Sequence, residues 1–138
     1  MSYTQLLKKD LDFGTNQEVT LKSKIEKYFN CSLNRTKQYH KFDFISIEKN
    51  KMFELKSRSN YYNTYPTTMI SFHKYNYSLN TDYECYFLFN FLDGLYYYKI
   101  NDNTLKECSV GKGGRKDRGR FEYNQYLYIP IELLIKID

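Results

Sequence analysis

Apolar and polar residues alternate through two adjacent runs, Phe42 to Glu48 and Lys51 to Arg58, and this period of two predicts a β-hairpin. A turn at Lys49-Asn50 pairs Glu48 with Lys51. Stepping outward then sets Asp43 opposite Lys56, with Glu54 as its diagonal neighbour. The alternation assigns Asp43, Ile45, Ile47, Met52, Glu54 and Lys56 to one side and Phe42, Phe44, Phe53 and Leu55 to the other. Both sides are largely apolar, as in a central strand pair covered on both faces.

Other elements follow from the same patterning. Val19, Leu21, Ile25, Tyr28 and Phe29 have a mostly helical spacing, predicting a helix that opens over Asp12 to Glu18 and runs to about Phe29. Ser32 to Tyr39 is a candidate first strand, and Asn60 to Pro66 has the composition of a loop. Thr67 to Leu79 predicts a second helix with Met69, Ile70, His73 and Tyr77 on one stripe. Tyr83 to Leu92 is nearly continuous apolar sequence, the mark of a buried strand, and Asp93-Gly94 turns it into a partner strand, Leu95 to Ile100. After a turn at Asn101 to Asn103, Leu105 to Val110 and Tyr126 to Ile131 are expected as strands, and Pro130 implies that the last is an edge strand or is ending. The expectation is an α/β domain spanning residues 1–138: a mixed sheet flanked by helices, in an αβββαβ core, with a C-terminal β-hairpin extension.

Composition changes this picture in three places. Aromatic residues make up 19% of a chain with no Ala and no Trp, and the abundant types have codons rich in A and T. An AT-rich genome, a virus or phage among the candidates, accounts for that without a special stacking surface. The formal net charge of +5 permits binding to a phosphate backbone but does not require it. Five cations and four glycines gather between Gly111 and Arg120, where Arg115, Lys116, Arg118 and Arg120 are candidate phosphate contacts. A solvated hairpin loop is the alternative reading of that segment, and it lacks the spacing of a P-loop. The third place is cysteine. Cys31, Cys85 and Cys108 are scattered, which argues against a structural zinc or a disulfide framework. No run approaches the ~20 apolar residues of a membrane span. A soluble intracellular protein, cytoplasmic or nuclear, with no membrane partner, is the expectation.

Asp43, Glu54 and Lys56 are the chemistry-bearing residues. Two carboxylates and a lysine on an otherwise apolar sheet suit a divalent cation and an activated water. A cross-strand ion pair with an edge-protecting carboxylate is the alternative. Asp43, followed by Glu54-Leu55-Lys56, resembles the PD-(D/E)XK nuclease superfamily, with Phe42 where the motif's name has Pro. The resemblance covers roughly residues 12–90. It implies the restriction-endonuclease-like fold and a Mg²⁺-dependent endodeoxyribonuclease, with Mn²⁺ able to substitute. By that resemblance Asp43, Glu54 and the Leu55 carbonyl hold the metal, and Lys56 orients or deprotonates the attacking water. Glu18 joins the site from the first helix, although Thr15-x-x-Glu18 also matches a capping box. Arg58 and Lys74 are further candidates for contacting DNA, the solvated helix lysine being the plain alternative for Lys74. Structure-specific cutting of the Holliday-junction-resolvase kind, by a homodimer, is compatible with so compact a chain. Two other classes stay open: an inactive nucleic-acid-binding module of the same fold, and a virion or structural protein.

Overall fold

The computed structural model describes residues 19–37, 40–113 and 124–138. Helix α1 (residues 19–29) turns Leu21, Ile25 and Phe29 toward the core, a stripe of every fourth residue. Val19 and Tyr28 fall off that stripe and are exposed. Asn30 ends the helix at φ +52°, a left-handed conformation that Asn tolerates better than most residues. The expected first strand shrinks to β1 (Asn34–Arg35), since its polar run offers nothing to bury.

The predicted hairpin forms, but in another register. In β2 (Phe44–Ser46) and β3 (Lys51–Ser57), Phe44 pairs with Phe53, Ile45 with Met52 and Ser46 with Lys51. Residues 47–50 make a four-residue loop with Asn50 at φ +54°. A two-residue turn of the favoured type needs positive φ at both central positions, and Lys49 is poorly suited to it. Glu48 is therefore not opposite Lys51; its carboxylate accepts the Ser32 amide at 2.8 Å. The slip is two residues, an even number, so the side chains of the paired residues keep their expected faces. Phe42 is the exception: the chain bends over residues 41–43, and Phe42 packs beside Phe87 with the Met52 cluster.

The predicted second helix divides. Thr67–Ser71 is strand β4, in which Thr68 and Ile70 are buried and Met69 is exposed, as expected of β-branched residues at period two. Ser71 caps α2 (Phe72–Leu79), its hydroxyl accepting the His73 amide at 3.3 Å. Met69 and His73 therefore share no helical stripe. Next come β5 (Glu84–Phe91), buried from Cys85 to Phe89, and β6 (Gly94–Lys99), joined by a tight turn at Leu92-Asp93, one residue before the expected Asp93-Gly94, so that Gly94 already pairs with Phe91. The predicted strand at Leu105 instead starts with a single helical turn, α3 (Thr104–Glu107). Strand β7 (Ser109–Gly113) follows, and includes the first glycines of the basic segment. Strand β8 (Asn124–Pro130) ends at its proline, and after a 3₁₀ turn at Ile131–Leu133 the short β9 (Ile135–Lys136) closes the chain.

These strands form two sheets. The larger runs β1-β2-β3-β5-β6-β9, with β3 and β5 parallel at its centre; the smaller runs β4-β8-β7, so β8 is central and not an edge. The parallel pair requires a crossover, and β4 with α2 supply it. One face of the large sheet (Phe44, Phe53, Tyr86, Leu88) packs on α1. The other (Met52, Phe87, Phe89, Phe91) packs on Ile70, Leu127 and Ile129 of the small sheet and on Tyr75 of α2. The expected burial of β3 on both faces is thus met. No described helix is long and apolar enough to cross a membrane.

Candidate active site

The strand β3 carries Glu54 on the face turned toward the small sheet and α2, and folding leaves it 3% exposed. Such a carboxylate is costly unless something answers its charge. What stands beside it is a second acid: Asp43 lies where the bend at residues 41–43 enters β2, close enough for its carboxyl to raise that of Glu54. Asp43 is firmly held. Its amide donates to the Phe53 carbonyl at 3.0 Å, and its carbonyl accepts both the amide and the hydroxyl of Thr36. Its Oδ2 accepts the Leu55 amide at 2.8 Å, tying the acid to the middle residue of the Glu-Leu-Lys tripeptide. The register shift is what brings the carboxyls together. Asp43 lies beside Glu54, not opposite Lys56.

Two ammonium groups complete the cluster. Lys74, from α2, sits 2.8 Å from Glu54 Oε2, and its ammonium also reaches the Lys41 carbonyl. That approach is an ion-pair contact without hydrogen-bond alignment, for Oε2 is a buried oxygen lacking any described hydrogen-bond partner. Lys56 is more open, 41% exposed, with its ammonium 3.9 Å from Oε1. Burial, and then the neighbouring Asp43 carboxyl, push the Glu54 carboxyl up to about 7, with Lys74 pulling the other way. An acid beside an acid, one of them buried, is an arrangement that welcomes a cation.

The donor chemistry fits a divalent metal of the hard, oxygen-loving kind. Mg²⁺ is usually bound through one or two carboxylates while keeping several waters, and Asp43 and Glu54 supply that pair. Among the described residues no group of three or more His, Cys, Asp or Glu converges on a metal position. Glu18, the acid expected from the first helix, lies outside the described residues, as do Arg115, Lys116, Arg118 and Arg120.

The geometry changes the account of two other residues. Lys74, a candidate for contacting DNA, is turned onto Glu54, which its position one turn after Ile70 did not announce because Ile70 belongs to a strand. Arg58 lies two residues past Lys56 on the same side of the sheet, half-buried, its guanidinium over the Phe89 ring at 5.7 Å and bonded to the Met69 carbonyl. Thr36 and His40 had no sequence signal. Thr36 fixes the Asp43 backbone, and the His40 Nδ1 accepts the Phe42 amide at 3.0 Å, shaping the bend that aims Asp43.

A family model described as "Phage putative PDDEXK endonuclease" matches residues 10–137, nearly the whole chain. The chain belongs to this PD-(D/E)XK family. The mixed α/β architecture is consistent with the restriction-endonuclease-like fold that the motif residues implied. Members of this superfamily are nucleases that generally use divalent metals. No curated protein matches the chain.

Proposed function

We propose that this protein is a metal-dependent endodeoxyribonuclease whose active site is built on Asp43, Glu54 and Lys56. The observation that carries the reading is the gathering of Asp43, bonded to the Leu55 amide, and the buried Glu54 beside a half-exposed lysine in an endonuclease family. Asp43 and Glu54 would hold Mg²⁺, or Mn²⁺ in its place, with the Leu55 carbonyl as a further ligand. Once bound, the cation supplies a Lewis acid for the phosphoryl oxygens and a water of lowered pKa. Lys56 orients that water, takes part in its deprotonation and stabilises charge developing on the phosphate. Its ammonium is near enough to Glu54 for that role and exposed enough to meet a substrate. Lys74 answers the Glu54 charge from the buried side and keeps the carboxylate in position. Glu18 is the proposed third acid.

On this reading the substrate is DNA, and symmetric cutting of a branched junction by a homodimer is the finer form of the proposal. Single-turnover cleavage of a four-way junction and a linear duplex by Lys56→Ala tests the role of the lysine. We expect a rate loss of about 10²–10⁴ with DNA affinity held within a few-fold, the size of effect that a positioned proton-transfer group contributes. Unchanged rates in Lys56→Ala would remove the lysine from the mechanism.

A further inference from the structure

Beyond the carboxylates, the same face of β3 leads into an open cleft of about 360 Å³ that the hydrolytic reading leaves unused. It lies past the C-terminal ends of the parallel pair β3 and β5, where open α/β sheets bind their ligands. Its walls come from five parts of the chain: Arg58, the loop residues Tyr62 and Tyr65, Thr68 of β4, Phe91 of β5 and Tyr128 of β8. The volume falls in the range of small-molecule sites. Aromatic rings with one guanidinium make the largely apolar lining, with a few polar groups, that ligand pockets have.

Each wall has a physical reason to stand where it does. Tyr62 is fixed by stacking on Tyr96 at 4.3 Å and by donating its hydroxyl to the Ile131 carbonyl at 2.8 Å. Its loop is pinned by the Asp93 carboxylate, which accepts the Tyr62 amide at 2.9 Å. Tyr128 lies across β7, where two glycines leave room for its ring and hydroxyl. A Cβ on Gly111 would come within 3.1 Å of the Tyr128 ring, and one on Gly113 within 2.7 Å of its hydroxyl. Two glycines of the basic segment therefore make room for a cleft tyrosine. Tyr65, by contrast, is 60% exposed at the rim, an aromatic surface without a packing purpose. Among the described residues Arg58 has no carboxylate within ion-pair distance, and its partners there are a carbonyl and a ring face.

We propose that this cleft takes a nucleobase unpaired from the DNA strand being cut, with Tyr65 stacking on the base and Arg58 meeting an adjoining phosphate. The proposal rests on the nuclease reading, which sets the strand across Glu54 and Lys56. Along β3, Arg58 is roughly 13 Å from Glu54 at the rise of an extended strand, so a strand held at the carboxylates carries its neighbouring nucleotides past the cleft. Stacking on an aromatic ring is sequence-tolerant because every base has a π-face, and a guanidinium beside it matches the phosphate charge. The cleft thus selects an unpaired position, as at a fork, bulge or branch, in preference to an intact duplex.

The test is binding in EDTA, where no cutting occurs, of a forked DNA with 2-aminopurine at its unpaired position and of the fully paired duplex. Wild type, Tyr65→Ala and the control Tyr61→Ala are compared. Tyr61 is equally exposed but does not line the cleft. The expected result is tighter binding of the fork by wild type, and a loss of about tenfold on the fork alone in Tyr65→Ala. A change in 2-aminopurine emission should disappear with Tyr65, while Tyr61→Ala matches wild type. Because Tyr65 is exposed, its truncation leaves the core intact. Equal affinity of wild type and Tyr65→Ala for the fork, or no preference for the fork over the duplex, overturns the proposal. Plasmid cleavage by the same preparations separates the two readings. A protein that cuts in Mg²⁺ but is indifferent to Tyr65 loses the cleft alone, whereas one that never cuts yet keeps the Tyr65-dependent preference loses the hydrolytic reading alone.

Discussion

Two glutamates of adjacent strands show how burial decides the sign of a carboxylate's perturbation. Glu84 is exposed and held by Lys51 and Lys99, and its carboxyl is drawn down to about 2. Glu54 also has a lysine at hand, but burial and the neighbouring Asp43 outweigh it and raise the carboxyl from 4.5 to about 7. The sign of the stability effect follows. A raised folded-state value means that the native protein holds a proton which the unfolded chain has already lost, so stability falls as pH rises from about 4.5 to 7. The shift corresponds to roughly 3 kcal/mol. Urea unfolding in EDTA should therefore show this decline, and Glu54→Gln should flatten it. Added Mg²⁺ should restore wild-type stability at the upper end of the range by binding the native state. A slope unaltered in Glu54→Gln would mean that Glu54 does not titrate in this window.

At the scale of the element, what was legible in the chain depended on whether a pattern was local. The period-two alternation on either side of Asn50 was enough to place Asp43, Glu54 and Lys56 on one face, and the two-residue slip did not disturb that. The register itself was not legible, because it depends on the backbone conformation that the loop residues tolerate. The same holds for Thr67 to Leu79, where Met69, Ile70, His73 and Tyr77 mimic a helical stripe. Ser71 caps a helix there, and pairing with β8 claims the residues before it, but that partner strand lies some sixty residues away in the sequence. The fold class and the motif were therefore readable, whereas the second sheet, the role of Lys74 and the glycine cradle of Tyr128 were not, since each is a contact between distant segments. The loop conformation gives its own prediction. Asn50→Gly should be neutral or slightly stabilising, whereas Asn50→Val should cost about 1–2 kcal/mol by forcing a β-branched residue to positive φ. Equal thermal midpoints for the two variants would contradict the four-residue loop.

For the whole molecule, the two sheets and α2 enclose one face of β3, and that enclosure turns an ordinary Glu-Leu-Lys tripeptide into a candidate site. The large sheet presents the carboxyls, the bend before β2 brings Asp43 to them, and the crossover supplies Lys74. A net charge of +5 favours approach to a polyanion, while the paired acids of the candidate site repel one until a cation is bound. Binding and cutting should accordingly come apart when the metal is withdrawn. The most direct test is relaxation and linearisation of supercoiled plasmid by wild type and Glu54→Gln, in Mg²⁺ and in EDTA. The account predicts cutting by wild type in Mg²⁺ alone and a loss of at least a hundredfold in Glu54→Gln, the scale of removing a group that stabilises the transition state. Cleavage that persists in EDTA, or that Glu54→Gln performs as well as wild type, would contradict it.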